Sequence, residues 1–241
     1  MSCDRVSRTG LLDISKEYDA MTSAAEESVP HPPITTRATW EQARAELLLV
    51  EKALTRERDR VNALRRRLPM VHVTTPYEFD GPDGAVSFAD VFAGKRQLIM
   101  YHFMYGPTWE VGCPVCTAYL NELGDLSLLG TRDTHFVVVG RAPYAKIAAH
   151  KAAFGMKHPM YSSFRSTFNF DMGMSSDTGE GQGMSVFFRM GTDVYHTYTT
   201  TQRGVEGLTG VDAFLDITPY GRQQDFEDSP SGWPQRPTYG A

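Results

Sequence analysis

Long hydrophobic runs are missing from this 241-residue chain. No apolar stretch approaches the ~20 residues that a membrane-spanning helix needs. The opening Met1-Ser2-Cys3-Asp4-Arg5 carries no apolar block of the kind a secretory leader has. Excess positive charge is missing too: Lys and Arg number 24 against 29 Asp and Glu, a formal net charge of −5, which argues against a surface built to hold a phosphate backbone. Cysteine is scarce, at 3 residues, so there is no disulfide framework. These absences predict a soluble, cytoplasmic protein in a reducing compartment, with neither nucleic acid nor membrane as partner. What is present is an ordinary globular mixture, 41% hydrophobic, enough to bury a core.

Composition divides the chain into four predicted regions. Residues 1–36 read as a flexible arm ending in Pro30-His31-Pro32-Pro33, 37–68 as a long amphipathic helix, 69–222 as the main domain, and 223–241 as a tail rich in Pro, Gly and charge. A short amphipathic piece, Leu11-Leu12-Asp13-Ile14, interrupts the arm, and Cys3 there has no neighbouring ligands and reads as an inert thiol. At the start of the helix, Thr39 with Gln42 three residues on has capping-box spacing. Trp40, Ala43, Leu47, Val50, Leu54, Val61, Leu64 and Leu68 recur in steps of three and four, with Glu57 interrupting them. Such a stripe either packs on its own domain, the reading favoured by the added breadth of Leu48 and Leu49, or pairs residues 39–68 with a second copy in a homodimer. Arg65-Arg66-Arg67, with Glu51, Glu57 and Asp59 upstream, reads as a solvated helix face.

Beyond Pro69, short strands are predicted at 70–74, 77–79 and 86–88, with Asp80-Gly81-Pro82-Asp83-Gly84 supplying turn chemistry. Residues 97–104 form a mostly apolar strand suited to burial on both faces, followed by a loop and a helix from Cys113 to about Leu129. A second buried strand at 134–140, a helix at 143–154, a hairpin of 184–189 with 194–200, and a last helical piece at 210–215 complete the pattern. Strands that alternate with helices and then end in an antiparallel pair predict an α/β sheet, parallel in the middle and antiparallel at one edge.

The chemistry concentrates at Gly112-Cys113-Pro114-Val115-Cys116, where a central strand gives way to a helix. Two thiols separated by two residues at a first helical turn can close a disulfide. Pro114 suits the first helical position, and the unpaired amides there stabilise a thiolate. Cys113 is therefore the candidate nucleophile and Cys116 the resolving thiol. A metal site is the alternative, although four-cysteine zinc spacing is absent.

The strand, loop, Cys-x-x-Cys and helix, followed by a βα unit, a hairpin and a helix, resemble the thioredoxin fold. Phe79 to Asp90 resembles the opening hairpin of its peroxiredoxin-like and membrane-anchored thioredoxin-like branches. From about Trp40 to Arg222 the chain is similar to a poorly characterised thioredoxin-like family, a domain of unknown function. The shared marks are Tyr101-His102-Phe103-Met104-Tyr105-Gly106-Pro107, the Cys113–Cys116 motif, Arg141-Ala142-Pro143, Ser185-Val186-Phe187-Phe188, His196-Thr197-Tyr198 and Leu215-Asp216-Ile217-Thr218-Pro219. The chain departs from ordinary thioredoxins in having Gly112 before Cys113, and Gly183-Met184 where a proline would precede the hairpin. Absence of that proline opens the thiols to metal. Gly106 and Glu110 stand where a peroxiredoxin needs proline and threonine, which argues against peroxidase chemistry.

The resemblance also implies a role for His102. His102 aligns about where thioredoxins keep a buried carboxylate beneath the cysteines; it would take a proton from Cys116 or ligate a metal, unless it is simply a core histidine. From the residues themselves, Arg141, at the end of the strand next to the catalytic one, would steady a thiolate or an anionic substrate or is an ordinary surface arginine, and Trp109 and Tyr105 in the long loop would floor a substrate cleft or pack their loop. The expected function is a thiol–disulfide oxidoreductase acting on a small-molecule or protein thiol through Cys113, Cys116 and His102, with no cofactor required. The first alternative is a copper-binding protein or copper-dependent oxidase using Cys113, Cys116 and one or both of His102 and His196, the last of which otherwise reads as a half-exposed strand histidine. The second is a non-catalytic adaptor presenting the long helix.

Overall fold

The computed structural model describes residues 29–238; Cys3 and the piece at Leu11–Ile14 lie outside the described residues. Within them, 29–45 together with 215–238 form one compact unit and Glu46–Phe214 another. No helix among the described residues is long and apolar enough to cross a membrane.

Helix α1 (Arg37–Arg65) begins at the first residue of the predicted 37–68 region, with the expected cap Thr39 inside it. Its cap is Thr36, whose hydroxyl accepts the Thr39 N–H at 3.3 Å while its carbonyl takes the Trp40 N–H. No residue of α1 is buried. The expectation that its apolar stripe packs on its own domain is therefore overturned: the sheet is already covered by shorter elements, and Leu47, Val50, Leu54 and Leu64 remain in solvent.

The rest of the fold is a mixed eight-stranded sheet. Its strands are β1 (Val71–His72), β2 (Glu78–Gly81), β3 (Gly84–Ser87), β4 (Gln97–His102), β5 (Thr134–Gly140), β6 (Met160–Ser162), β9 (Gly183–Met190) and β10 (Asp193–Thr201). Their order is β1-β10-β9-β4-β5-β6-β2-β3. Strands β4, β5 and β6 run parallel, and β9 and β10 continue the sheet antiparallel on the other side of β4. Between the strands run α2 (Phe88–Val91), α3 (Pro114–Glu122), α4 (Tyr144–Ala153) and α5 (Phe168–Asp171), and α6 (Arg203–Glu206) and α7 (Gly210–Leu215) follow the hairpin. A central strand delivering a Cys-x-x-Cys helix, with parallel neighbours on one side and an antiparallel hairpin on the other, is the thioredoxin-like α/β arrangement.

The period of two along β4 divides the core into layers. Tyr101 and Phe103 join Cys116, Leu120, Val138 and Ile147 on the face covered by α3 and α4. Leu98 and Met100 point the other way, into Phe79, Phe88, Val137, Val139, Phe168 and Phe187. There the phenylalanine rings meet edge to face, as at Phe79–Phe168 (4.9 Å) and Phe88–Phe187 (4.9 Å). Each such ring stabilises the fold by about 1.5–3 kcal/mol through burial.

Two stretches differ from the sequence pattern. The helix expected to reach Leu129 ends at Glu122, because Gly124 takes a left-handed φ of +63° and breaks the ladder; a 3-10 turn over Ser127–Arg132 follows. Between Phe154 and Met184, where no element is predicted, lie β6, α5 and the small hairpin of β7 (Ser175–Ser176) and β8 (Gly179–Glu180). Each spans only two to four residues, too few for a periodicity to register.

Candidate active site

Strand β4 aims the chain at the top of the sheet, and the loop 103–112 carries it over to α3. Cys113 is the N-cap of α3 with Pro114 in its first turn, as the spacing predicts. The Cys113 Sγ accepts the Cys116 N–H at 3.4 Å. Its backbone is tied from both sides: the N–H donates to Met104 O, and the carbonyl accepts the amide and the hydroxyl of Thr117 at 3.0 and 2.9 Å. Cys113 is half-buried, beside exposed Val111, Pro114 and Val115, whereas Cys116 lies inside the core at 2% exposure.

This geometry separates the two thiols electrostatically. The Cys116 thiol hydrogen-bonds Cys113, and the amides of Cys116 and Val115 point at the same sulfur. Against the cost of partial burial, these bring Cys113 down to about 6. Cys116 is pushed up, first by the hydrogen bond it gives Cys113 and then by burial. The geometry thus favours the thiolate on the outer sulfur and the proton on the inner one.

Beneath Cys116 stands Tyr101, which is not among the residues expected at the site. Its hydroxyl reaches Cys116, an interaction that favours the Cys116 thiolate, and also Gln182 Oε1 at 3.4 Å. Its ring stacks on Tyr119 at 5.1 Å. Burial raises the Tyr101 hydroxyl far above its ordinary value, so it remains a proton donor. The alternation of β4 would have found it: position 101, not 102, shares the face of α3.

A second overlooked residue is His150, buried in α4. Its Nδ1 accepts the Gly112 N–H at 3.3 Å, and its Nε2 lies 2.9 Å from the Thr117 hydroxyl. Thr117 spends its proton on Cys113 O, so Nε2 must be the donor, which assigns the neutral Nε2–H tautomer. Burial holds His150 below the usual imidazole value. A Cβ at Gly112 would stand 2.4 Å from the Phe103 ring and 3.2 Å from His150, which explains glycine at this position. Gly183 has a similar cause: a Cβ there would meet the Met174 thioether at 2.8 Å and Thr200 O at 2.9 Å.

The other candidates are placed elsewhere. His102 is fully buried on the opposite face of the sheet from Cys116, stacked on Phe168 at 5.7 Å. Its Nε2 lies 2.9 Å from Ser185 Oγ, which contacts Thr199 Oγ1 at 3.0 Å, which in turn contacts His196 Nε2 at 2.6 Å. Burial lowers His102 to about 3 and also lowers His196. The expectation that His102 lies beneath the cysteines is corrected by the strand period, which turns it away. The copper set of Cys113, Cys116, His102 and His196 is likewise not assembled, since the sheet separates thiols from imidazoles. Among the described residues no three His, Cys, Asp or Glu side chains come together as a metal cluster.

Arg141 is engaged by Glu180 at 3.4 Å and lies over the Phe170 ring at 4.2 Å. Its charge is already matched, against the expectation that it steadies an anion. Tyr105 is buried and gives its hydroxyl to Glu110 O at 3.1 Å, so it packs the loop instead of flooring a cleft. Trp109, half-buried against the same core, has its carbonyl held by Lys146 Nζ at 2.9 Å.

A family model described as a bacterial protein of unknown function (DUF899) matches residues 29–239, and the chain belongs to that family. No curated protein matches it. Among solved structures, it is similar to the peroxidoxin BcpB from Mycobacterium tuberculosis at 15% identity and a TM-score of 0.43, covering 56% of this chain and 84% of that one. For Enterococcus faecalis AhpC the values are 18%, 0.44, 56% and 84%. For the reduced 2-Cys peroxiredoxin of Plasmodium vivax they are 17%, 0.41, 62% and 90%.

Proposed function

We propose that the protein is a dithiol–disulfide oxidoreductase in which Cys113 is the nucleophile and Cys116 the resolving thiol. The observation that carries this reading is the asymmetry of the pair: a half-exposed sulfur stabilised as thiolate at a helix cap, hydrogen-bonded by a buried thiol one turn inward. The Cys113 thiolate attacks one sulfur of a substrate disulfide, forming a mixed disulfide and expelling the other sulfur as thiolate. Cys116 then gives up its proton to a leaving sulfur and attacks Cys113 Sγ. The mixed disulfide breaks, two substrate thiols leave, and the protein keeps a Cys113–Cys116 disulfide: the substrate is reduced by two electrons and the enzyme oxidised by two.

Tyr101 assists the second half, since its hydroxyl stabilises Cys116 as it becomes thiolate. His150 is a positioning residue that holds Gly112 and Thr117, and through them the backbone of Cys113. The exposed edge of Val111, Pro114 and Val115 suits a substrate that presents apolar surface beside its disulfide. The thiol substrate and a reducing compartment belong to this same reading.

The test is alkylation of the reduced protein with iodoacetamide across pH, read by mass spectrometry. Cys113 is expected to label with a midpoint near pH 6 and well ahead of Cys116. Slow, equal labelling with an ordinary midpoint of about 8.5 would overturn the assignment.

A further inference from the structure

We propose that α1 is a dimerisation helix, its face of Leu47, Val50, Leu54, Val61 and Leu64 docking antiparallel on the same face of a second copy of this chain. None of the helix's 29 residues is buried. Leu47, Val50, Leu54 and Leu64 stand 52–65% exposed. Helices in proteins owe most of their stability to packing an apolar face. At its C-terminal end α1 is anchored, with the Arg65 guanidinium 5.4 Å from the Tyr198 ring, so the stripe is held out from a fixed point on β10.

The spacing selects a helix as the occupant. Positions 47, 54 and 61 form one strict seven-residue series and 50, 57 and 64 the other, the two seams of a coiled coil. A strict seven-residue repeat keeps its seam turned toward a supercoiling partner. Glu57 is the one polar member, and its carboxylate is already held by Arg60 at 2.6 and 2.8 Å.

Charge selects a second copy and its direction. With Leu47 against the partner's Leu64 and Val50 against the partner's Val61, the positions flanking the seam bring Glu51 beside the partner's Arg58 and Glu46 beside the partner's Arg67. Two-fold symmetry repeats both contacts. The same symmetry repeats a like-charge contact, Arg44 with the partner's Arg65, so two such contacts stand against these four. A parallel pair in register would set Glu46 beside Glu51 and Arg60 beside Arg65, like charges throughout. The same face thus complements itself only when the two helices run in opposite directions.

Sedimentation velocity on the full chain at micromolar concentration is expected to show a dimer. Leu54→Glu removes two buried leucines per dimer and is expected to weaken association on the order of 10²- to 10⁴-fold, with circular dichroism and Cys113 labelling unchanged. Because Leu54 is exposed in the single chain, loss of folding is not expected; Val50→Glu serves as a second variant with the same readout. Direction is read by oxidative cross-linking in a background with Cys3, Cys113 and Cys116 replaced by serine. A mixture of Leu47→Cys and Leu64→Cys chains is expected to cross-link to each other, and neither variant to itself. A monomeric parent, a dimer indifferent to both glutamate variants, or self-cross-linking of Leu47→Cys would each overturn the proposal.

Discussion

On the α3 face of the sheet a buried imidazole, His150, leans on the backbone of the cysteine turn. On the other face His102 and His196 are tied to each other through Ser185 and Thr199, with the sheet between them and the thiols. Both arrangements are hydrogen-bonded, burial disfavours the charged form of each imidazole, and only one touches the Cys113 turn. The difference comes down to one step along β4. Tyr101 and His102 are neighbours in sequence, yet a strand sends successive side chains to opposite faces, so the tyrosine meets Cys116 and the histidine meets Phe168. A histidine close to a Cys-x-x-Cys motif in sequence is thus no guide to one close to it in space.

The comparison breaks most sharply at the thiols themselves. Cys113→Ser is expected to abolish turnover with a disulfide such as oxidised glutathione. Cys116→Ser is expected to stop after the first step, leaving one glutathione per chain, visible as added mass. A Cys116→Ser protein that turns over normally would show that no resolving thiol is needed.

Next comes a contrast between the two imidazoles. His150→Ala strands the Gly112 amide, a loss worth about 1–3 kcal/mol. Applied to the geometry of the nucleophile, it is expected to slow exchange roughly 5- to 150-fold and to raise the midpoint of Cys113 alkylation. His150→Asn, which retains an acceptor, is expected to recover part of the rate. His102→Ala is expected to lower thermal stability by a few kcal/mol, the order for a large-to-small change in a core, without moving the Cys113 midpoint. A shift of that midpoint in the His102 variant, and none in the His150 variant, would reverse the roles assigned to the two faces.

The far face has its own acid signature. An unperturbed histidine titrates at about 6.5, whereas burial holds His102 at about 3. Between those values the unfolded chain binds the proton that the folded chain refuses. Stability is therefore full above about pH 6.5 and falls as pH drops toward about 3, by up to about 1.4 kcal/mol per pH unit from this residue. His102→Gln is expected to flatten the pH dependence of urea unfolding in that window by one proton's share. An unchanged slope would mean that His102 is not held neutral.

The smallest effect is expected at Tyr101→Phe, which keeps the ring stacked on Tyr119 and removes only the hydroxyl beside Cys116. One hydrogen bond of about 0.5–1.5 kcal/mol corresponds to roughly a 2- to 10-fold slower release of the mixed disulfide. The first step should be untouched. Stopped-flow separation of the two phases tests this directly.

Much of the frame is legible in the chain alone. The strand at Thr134–Gly140 and the helical piece at Gly210–Leu215 fall where their patterns put them, and Cys113 caps α3 with Pro114 behind it. The short β6 and α5 are illegible, because tertiary contacts and not local periodicity form them. At the site, the cysteine pair is readable from spacing and helix electrostatics. Tyr101 was within reach of the strand period. His150 was not, since it stands 37 residues from Cys113 and only the docking of α4 beside the loop brings its ring to Gly112.

What the sequence by itself determined is local: a dithiol at a helix start, a buried central strand leading to it, and a long helix with a seven-residue apolar repeat. These rest on covalent spacing and backbone hydrogen-bonding rules that act within a few residues. Which imidazole lies beside the cysteine turn, that Arg141 pairs with Glu180, and that α1 stands with its stripe in water were decided only by tertiary structure. The physical reason is that hydrogen bonds, ion pairs and burial act over a few ångströms of space, and only the folded chain sets which residues share that space.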